Sequence, residues 1–211
     1  MAGVKQFDQN EILDRAVMLF WSQGYEATSI DQLVEATGIN RGSLYGTFRD
    51  KNGIFLAAID RYLETVGKSL MLSLSDSDPR RAIERMFNSI IDRLSDPKVP
   101  RGCLIVNTSL ECPASGDAIA RIVAQAIGRQ ESAIYCVLLR AQADGSLAST
   151  ADAKALARFF WGVAQALNVM NKAVADPEVL KDIVRIAMKI WDNDRLVAPQ
   201  KPRARQRSKL H

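Results

Sequence analysis

Apolar residues recur at steps of three and four positions along most of this chain, and that period constrains its fold more than any other feature. Between Asn10 and Gln23 these residues are Ile12, Leu13, Ala16, Leu19 and Phe20. Such a repeat places apolar side chains on one face of an α-helix. The shorter apolar runs would also suit buried strands, but segment lengths and capping residues favour helix. We predict an all-α chain of about nine helices.

Capping residues divide the pattern into separate helices. Asp8 is a candidate N-cap for the first helix, and the segment Thr28-Ser29-Ile30-Asp31 matches the capping box that opens a second helix. Asn40 and Asp50 are candidate caps for a third and a fourth helix, and the fourth should end near Gly67. Similar signals mark later helix starts at positions 78–79, 149–152 and 176–177.

The single histidine argues against several kinds of catalysis. It is His211, outside every predicted helix, so a serine or cysteine nucleophile lacks a histidine base and zinc lacks histidine ligands. Neither a P-loop nor a dinucleotide-binding glycine motif is present. We therefore predict no catalytic residue, no metal site and no cofactor. A helical enzyme that uses a pair of carboxylates is the least favoured alternative.

The cysteines and the charge distribution limit the setting. Three cysteines without a Cys-x-x-Cys pair favour a reducing cytoplasm, and no apolar run is long enough for a membrane span. Residues 198–211 are predicted to form a basic, disordered tail whose basic residues are Lys201, Arg203, Arg205, Arg207 and Lys209. Because the whole chain carries only +4, the remainder is slightly acidic. Any specific nucleic-acid site must therefore be local.

One local arrangement indicates the function. Two short helical segments, Ser29–Thr37 and Arg41–Phe48, flank the turn Gly38-Ile39-Asn40, which is the spacing of a helix-turn-helix. Glycine at the turn can adopt positive φ without steric cost. The second helix would expose one polar face opposite Leu44 and Phe48, made of Arg41, Gly42, Ser43, Tyr45 and Thr47.

These residue types suit a DNA duplex. Arginine can bridge guanine O6 and N7, small residues permit close approach, and hydroxyl groups bind phosphates or bases. Lys51 and Thr28 stand at helix starts, where free N–H groups favour a phosphate. We predict that residues 1–50 form a DNA-binding domain. The open alternative is an interaction module whose helix-turn-helix contacts protein.

The same stretch resembles a known family. The shared positions are Ile12, Leu13, Ala16, Phe20, Gly24, Tyr25, Thr28, Ser29, Ile30, Leu33, Gly38, Ile39, Gly42, Ser43, Leu44, Tyr45, Phe48 and Lys51. Together they resemble the DNA-binding head of the tetracycline-repressor (TetR) family over about residues 8–60. The rest of the chain agrees with that family in architecture, a larger helical domain that binds an effector and dimerises.

The resemblance implies roles for individual residues. It places Ser29, Arg41, Gly42, Ser43 and Tyr45 near bases, and Thr28, Tyr45, Thr47 and Lys51 near phosphates. Thr47 departs from the family pattern because a histidine often stands there. A dimer should bind a palindromic operator in double-stranded DNA. The resemblance also implies dimerisation through the last two long helices, predicted over 150–174 and 177–193.

Residues 51–197 are predicted to bind an effector, either a small molecule or an electrophile. The segment Arg101-Gly102-Cys103-Leu104 is similar to one in electrophile-responsive TetR members, which implies a sensor role for Cys103. The alternative is an inert buried thiol, as also expected for Cys112 and Cys136. A non-covalent pocket could be lined by Trp21, Phe87, Phe159, Phe160, Trp161, Met170 and Trp191.

Overall fold

The structure, a computed structural model, describes residues 8–111, 118–174 and 176–191. These residues form nine helices and no strand, which confirms the predicted class. The helices are α1 (Gln9–Gln23), α2 (Ile30–Thr37), α3 (Arg41–Phe48), α4 (Lys51–Leu74), α5 (Pro79–Ser95), α6 (Leu104–Glu111), α7 (Ala118–Asp144), α8 (Ala153–Ala173) and α9 (Pro177–Met188). The predicted basic tail and Cys112 lie outside the described residues.

Most helices begin where the capping residues predict. Asp8, Asn40 and Asp50 each accept a hydrogen bond from a backbone N–H in the first turn of the helix that follows. The capping box predicted at 149–152 is wrong, because Asp152 itself caps α8 by accepting from the Ala155 N–H at 2.9 Å. As a result α8 begins at Ala153, slightly later than the sequence suggests.

Helix α4 runs to Leu74, well beyond the end predicted near Gly67. An interior glycine costs a helix only about 1 kcal/mol. Leu70 and Leu74 follow it at helical spacing and are both buried in the core of the larger domain. Burial of these two side chains offsets the cost of the glycine, so the helix continues.

Two hydrophobic cores share α4. The first packs α1 to α3 against the N-terminal half of α4, with Phe20, Leu33, Leu44 and Phe55 among its most buried members. This core also includes residues of α6 and α7, so the predicted DNA-binding head shares its hydrophobic core with the rest of the chain. The second core is formed by the end of α4 with α5, α7, α8 and α9. Helix α6 therefore packs directly against the head.

In the part of the chain that the structure describes, every helix is either too short or too polar to cross a membrane. The same residues contain no group of three or more histidine, cysteine or acidic side chains arranged to hold a metal ion.

Candidate nucleic-acid interface and internal cavity

Helices α2 and α3 form the predicted helix-turn-helix. Gly38 has φ 72° and ψ 10°, the left-handed conformation, and its N–H donates to the Val34 carbonyl at 2.9 Å. Ile39 is buried beneath the corner. Asn40 caps α3 by accepting from the Ser43 N–H at 2.8 Å. The turn and the start of α3 are therefore fixed by local bonds.

Helix α3 presents the polar face that its sequence predicts. Leu44 and Phe48 are buried against the head core. The remaining positions of the helix are all exposed, namely Arg41, Gly42, Ser43, Tyr45, Gly46 and Thr47. Gly46 was not among the predicted contacts, although its exposure follows from the same helical period. Arginine, hydroxyl and small residues thus form one accessible surface.

Arg41 already has a partner in the free protein. Its guanidinium forms an ion pair with Asp31 in the first turn of α2, and both side chains are more than half exposed. Exposed pairs of this kind contribute little free energy. Breaking this pair therefore costs little, and the guanidinium is available to another partner. Sequence reasoning assigned Asp31 only to capping and missed this pairing.

The start of α2 differs from the prediction. Ser29, not Thr28, is the N-cap: its Oγ accepts from the Gln32 N–H at 3.2 Å, and Gln32 Oε1 accepts from the Ser29 N–H at 2.8 Å. Thr28 is 1% exposed and its hydroxyl donates to the Gly24 carbonyl at 2.6 Å. The predicted phosphate contact of Thr28 is therefore corrected, since its side chain is used inside the head. Ser29 remains exposed.

Lys51 lies at the start of α4, half-buried. Its Nζ donates to the Glu26 carbonyl at 3.2 Å and lies 4.4 Å from the centre of the Tyr25 ring. The positive charge is thereby held beside the turn that joins α1 to α2. No carboxylate neutralises it among the described residues.

Glu111, the last residue of α6, is bonded to the same turn. Its Oε2 accepts from the N–H groups of Tyr25 and Glu26, at 2.7 and 3.3 Å. Gly24 makes room for this carboxylate, because a Cβ at Gly24 would lie 2.0 Å from Glu111 Oε1. Helix α6 is thus bonded at one end to the head, a link that sequence reasoning did not predict.

The other end of α6 lies at an internal cavity of about 290 Å³. Its walls come from α4 to α8, and among the lining residues are Tyr62, Ser89, Arg93, Cys103, Gln130, Trp161, Gln165 and Asn168. Cys103 directly precedes α6, as predicted, and is half-buried. The Tyr62 hydroxyl donates to Cys103 Sγ at 3.3 Å. Burial raises the pKa of Tyr62 well above its ordinary value, and Cys103 adds to the rise, so the hydroxyl stays protonated.

The predicted aromatic lining of a pocket is mostly wrong. Of that group only Trp161 lines the cavity. Phe87, Phe160 and Trp191 are core residues, whereas Phe159 is 38% exposed on the outer surface. Cys136 is also exposed, contrary to the predicted core position. A single sequence gives helical faces but does not show which faces enclose a space.

Helices α8 and α9 carry an apolar outer groove. Its apolar residues are Phe159, Val163, Ile183, Ile186, Ala187 and Ile190. Asp182 and Lys189 also line it. Ile186 is 53% exposed, and nothing in the described chain covers this surface. The groove lies on the two helices that the sequence predicts for dimerisation.

A fixed helix-turn-helix joined to a larger helical domain with an internal cavity defines a DNA-binding regulator. The family models match in the same two parts: "Bacterial regulatory proteins, tetR family" over residues 12–58, and "Tetracyclin repressor-like, C-terminal domain" over residues 79–187. The chain belongs to the TetR family of transcriptional regulators, which are not enzymes.

Individual relatives agree with this assignment. The transcriptional repressor ComR of Escherichia coli is 33% identical over 89% of this chain and 90% of its own. The uncharacterized regulator YezE of Bacillus subtilis is 33% identical over 91% of this chain and all of its own. Among solved structures, a cysteine mutant of the TetR-family regulator CifR in complex with 26-bp operator DNA has a TM-score of 0.83. It is 30% identical over 90% of this chain and all of that one.

Proposed function

We propose that this regulator is a repressor that binds a palindromic operator as a homodimer and is released from it by a small molecule or an electrophile. The exposed polar face of α3 on a fixed helix-turn-helix carries the proposal. The repressor ComR and the operator complex of CifR support it by similarity. A protein of this function works in the compartment that holds the DNA, which is the bacterial cytoplasm.

Contacts to DNA are assigned by exposure and chemistry. Arg41, Ser43 and Tyr45 are exposed on α3 and contact base edges, while Gly42 lets the helix approach the groove. Ser29, which is also exposed, contacts a base edge, and phosphate contacts come from Tyr45, Thr47 and Lys51. Among these Lys51 contributes the positive charge, and its contacts with Glu26 and Tyr25 fix that charge beside the α1–α2 turn. Thr28 is left out because its side chain is buried.

Arg41→Ala tests the DNA-reading role of α3. We expect a loss of about 1–3 kcal/mol of binding free energy per contact, with relaxed preference at one base position. Fluorescence anisotropy would measure this on a duplex selected from random sequences by the purified protein. Arg85→Ala is the matched control. Arg85 lies on α5, is about as exposed as Arg41 and also pairs with a carboxylate, that of Asp76. The fold, followed by circular dichroism, should be unchanged in both variants.

The sequences of the selected duplexes also distinguish a DNA-binding dimer from a module that contacts protein. A DNA-reading dimer enriches sites with two-fold symmetry. Equal affinities of the wild type and Arg41→Ala, or selected sites without symmetry, would contradict the proposal. Such a result would favour a helix-turn-helix that contacts protein.

Cys103 is the proposed point of reaction for an electrophile. It lines the cavity, is only half-buried and accepts a hydrogen bond from Tyr62 of α4. An adduct on Cys103 would add bulk between α4 and the start of α6. The opposite end of α6 holds the head through Glu111, so a shift of this helix changes the position of the head. Lower operator affinity follows if the two heads no longer match their half-sites.

N-ethylmaleimide is the probe for this proposal. The Cys103 thiolate adds to the maleimide double bond, one S–C bond forms, and the neighbouring carbon takes a proton. We expect the reagent to release the wild type and Cys136→Ser from the operator, and to leave Cys103→Ser bound. Cys136 is a suitable control because its thiol is exposed and should react as well. Equal release of Cys103→Ser and wild type would remove Cys103 from the mechanism.

A further inference from the structure

The guanidinium of Arg93 lies at the cavity and has only neutral partners among the described residues. It donates to the Gly102 carbonyl at 3.0 Å and to Asn168 Oδ1 at 2.8 Å, and its Cζ lies 5.4 Å from the centre of the Trp21 ring. Two of its five N–H groups are used by these bonds. A cation that is part-buried without a counter-ion is costly, which marks this position for a negative ligand.

A second polar group beside Arg93 lacks a partner. The Nε1–H of Trp21 is buried and has no hydrogen-bond acceptor. The Trp21 ring packs edge-on against Tyr62, with 4.9 Å between ring centres, and Tyr62 also lines the cavity. An unsatisfied donor therefore lies next to an unneutralised cation. Among the described residues the Trp21 Nε1–H lacks an acceptor, and the Arg93 guanidinium has acceptors but no counter-ion.

The remaining wall of the cavity is mostly apolar, and none of the described residues that line it is acidic. Its apolar members include Leu63, Val66, Leu70, Ile90, Ile105 and Ile127. Gln130, Gln165, Ser69 and Ser89 add neutral polar groups. A ligand that complements this wall has an apolar body and one acceptor-rich anionic end. The volume of about 290 Å³ is at the lower limit for ligand pockets, so the ligand is small.

We infer that the cavity binds a small organic carboxylate, with its carboxylate group at Arg93 and its apolar body against α4, α5 and α7. The guanidinium fork matches the two oxygens of a carboxylate, which favours this anion. The inference deepens the proposed function, since it gives the chemical class of the non-covalent effector. Trp21 belongs to α1, so Arg93 connects the cavity to the DNA-binding head through its contact with the Trp21 ring.

Calorimetry on the full-length protein tests the inference with hexanoate and phenylacetate, compared with the neutral hexanamide and phenylacetamide. We expect each carboxylate to bind at least tenfold more tightly than its amide. Arg93→Met should abolish this difference and leave the affinity for the amides unchanged. Arg85→Met serves as the control, because Arg85 is exposed on the surface of α5 and should keep the wild-type preference.

A second variant avoids dependence on the folding of Arg93→Met. Gln165→Glu is nearly isosteric and places a carboxylate in the same cavity, so it should neutralise Arg93 and weaken carboxylate binding at least tenfold. Equal affinities for carboxylate and amide, or no carboxylate binding at millimolar concentration, would overturn the inference. Operator binding without ligand is measured separately. Carboxylate binding without operator binding would instead contradict the proposed function alone.

Discussion

Gly53→Ala is expected to disrupt the DNA-binding head more than alanine at any other glycine within the described helices. A Cβ at Gly53 would lie 1.9 Å from the carbonyl oxygen of Phe48, a backbone atom at the end of α3. The Gly53 N–H is fixed by a 2.7 Å bond to Asp50 Oδ1, so the start of α4 has little freedom to move. Either α3 or α4 must shift, and α3 is the proposed DNA-reading helix.

The size of this effect can be measured. Overpacking usually lowers the free energy of unfolding by about 1–3 kcal/mol. Because the added Cβ meets backbone, which moves less easily than a side chain, we expect Gly53→Ala to lie at or above the upper end of that range. For a chain of this length 3 kcal/mol lowers the melting temperature by roughly 6–12 °C. Operator affinity should fall at least tenfold because α3 is displaced. Urea unfolding followed by circular dichroism and anisotropy on the selected operator would measure the two effects.

Gly128→Ala is the matched control for this experiment. Gly128 lies within α7, and apart from the backbone of its own helix and its chain neighbours an added Cβ would meet no described atom within 4 Å. Alanine there should leave stability unchanged or raise it by about 0.5–1 kcal/mol, since glycine is unfavourable in a helix. If both variants are as stable as the wild type, the close contact at Gly53 does not constrain the head.

The head could be predicted well because its determinants are local. Caps, the Gly38 turn and the buried face of α3 each depend on residues within a few positions of one another. The prediction failed at Thr28, where two adjacent hydroxyl residues both suit an N-cap. Backbone geometry selects Ser29, and only the structure shows that Thr28 bonds to Gly24.

The cavity and its links could not be predicted because they join distant parts of the chain. Glu111 meets Tyr25 across 86 positions, and Arg93 meets Asn168 across 75. Helical periodicity gives the buried face of each helix but not the neighbour that it faces. The three aromatics of α8 show this: Phe159 faces outward, Phe160 enters the core and Trp161 lines the cavity. Only Trp161 among these can meet a ligand there.

The apolar groove on α8 and α9 gives the second large prediction. Its exposed residues Phe159 and Ile186 form an unusual surface for a monomer, and burial against a second copy would remove them from water. A two-fold axis at this groove brings equivalent surfaces together. Asp182 and Lys189 also line the groove, and a two-fold axis would allow Asp182 of one copy to pair with Lys189 of the other.

Ile186→Asp is expected to yield a monomer and to lose most operator binding. A carboxylate at the centre of the interface would be buried without a partner, which opposes association. Linking two heads raises the affinity for the operator by a factor of about 10²–10⁴, because the second head binds at a high effective concentration. The monomer should therefore bind the operator at least about 100-fold more weakly than the dimer. Sedimentation equilibrium gives the mass, and anisotropy gives the affinity.

Leu72→Asp provides the comparison, because Leu72 lies on α4, outside the groove, and is more exposed than Ile186. It adds the same charge and should leave both the dimer and its affinity for the operator intact. If Ile186→Asp keeps the mass of the wild type, the subunits associate through another surface. If the isolated half-site binds the wild type as tightly as the whole palindrome, the two heads are not coupled. The mass of the protein therefore tests the interface, and its affinity for the operator tests whether two heads must bind one operator.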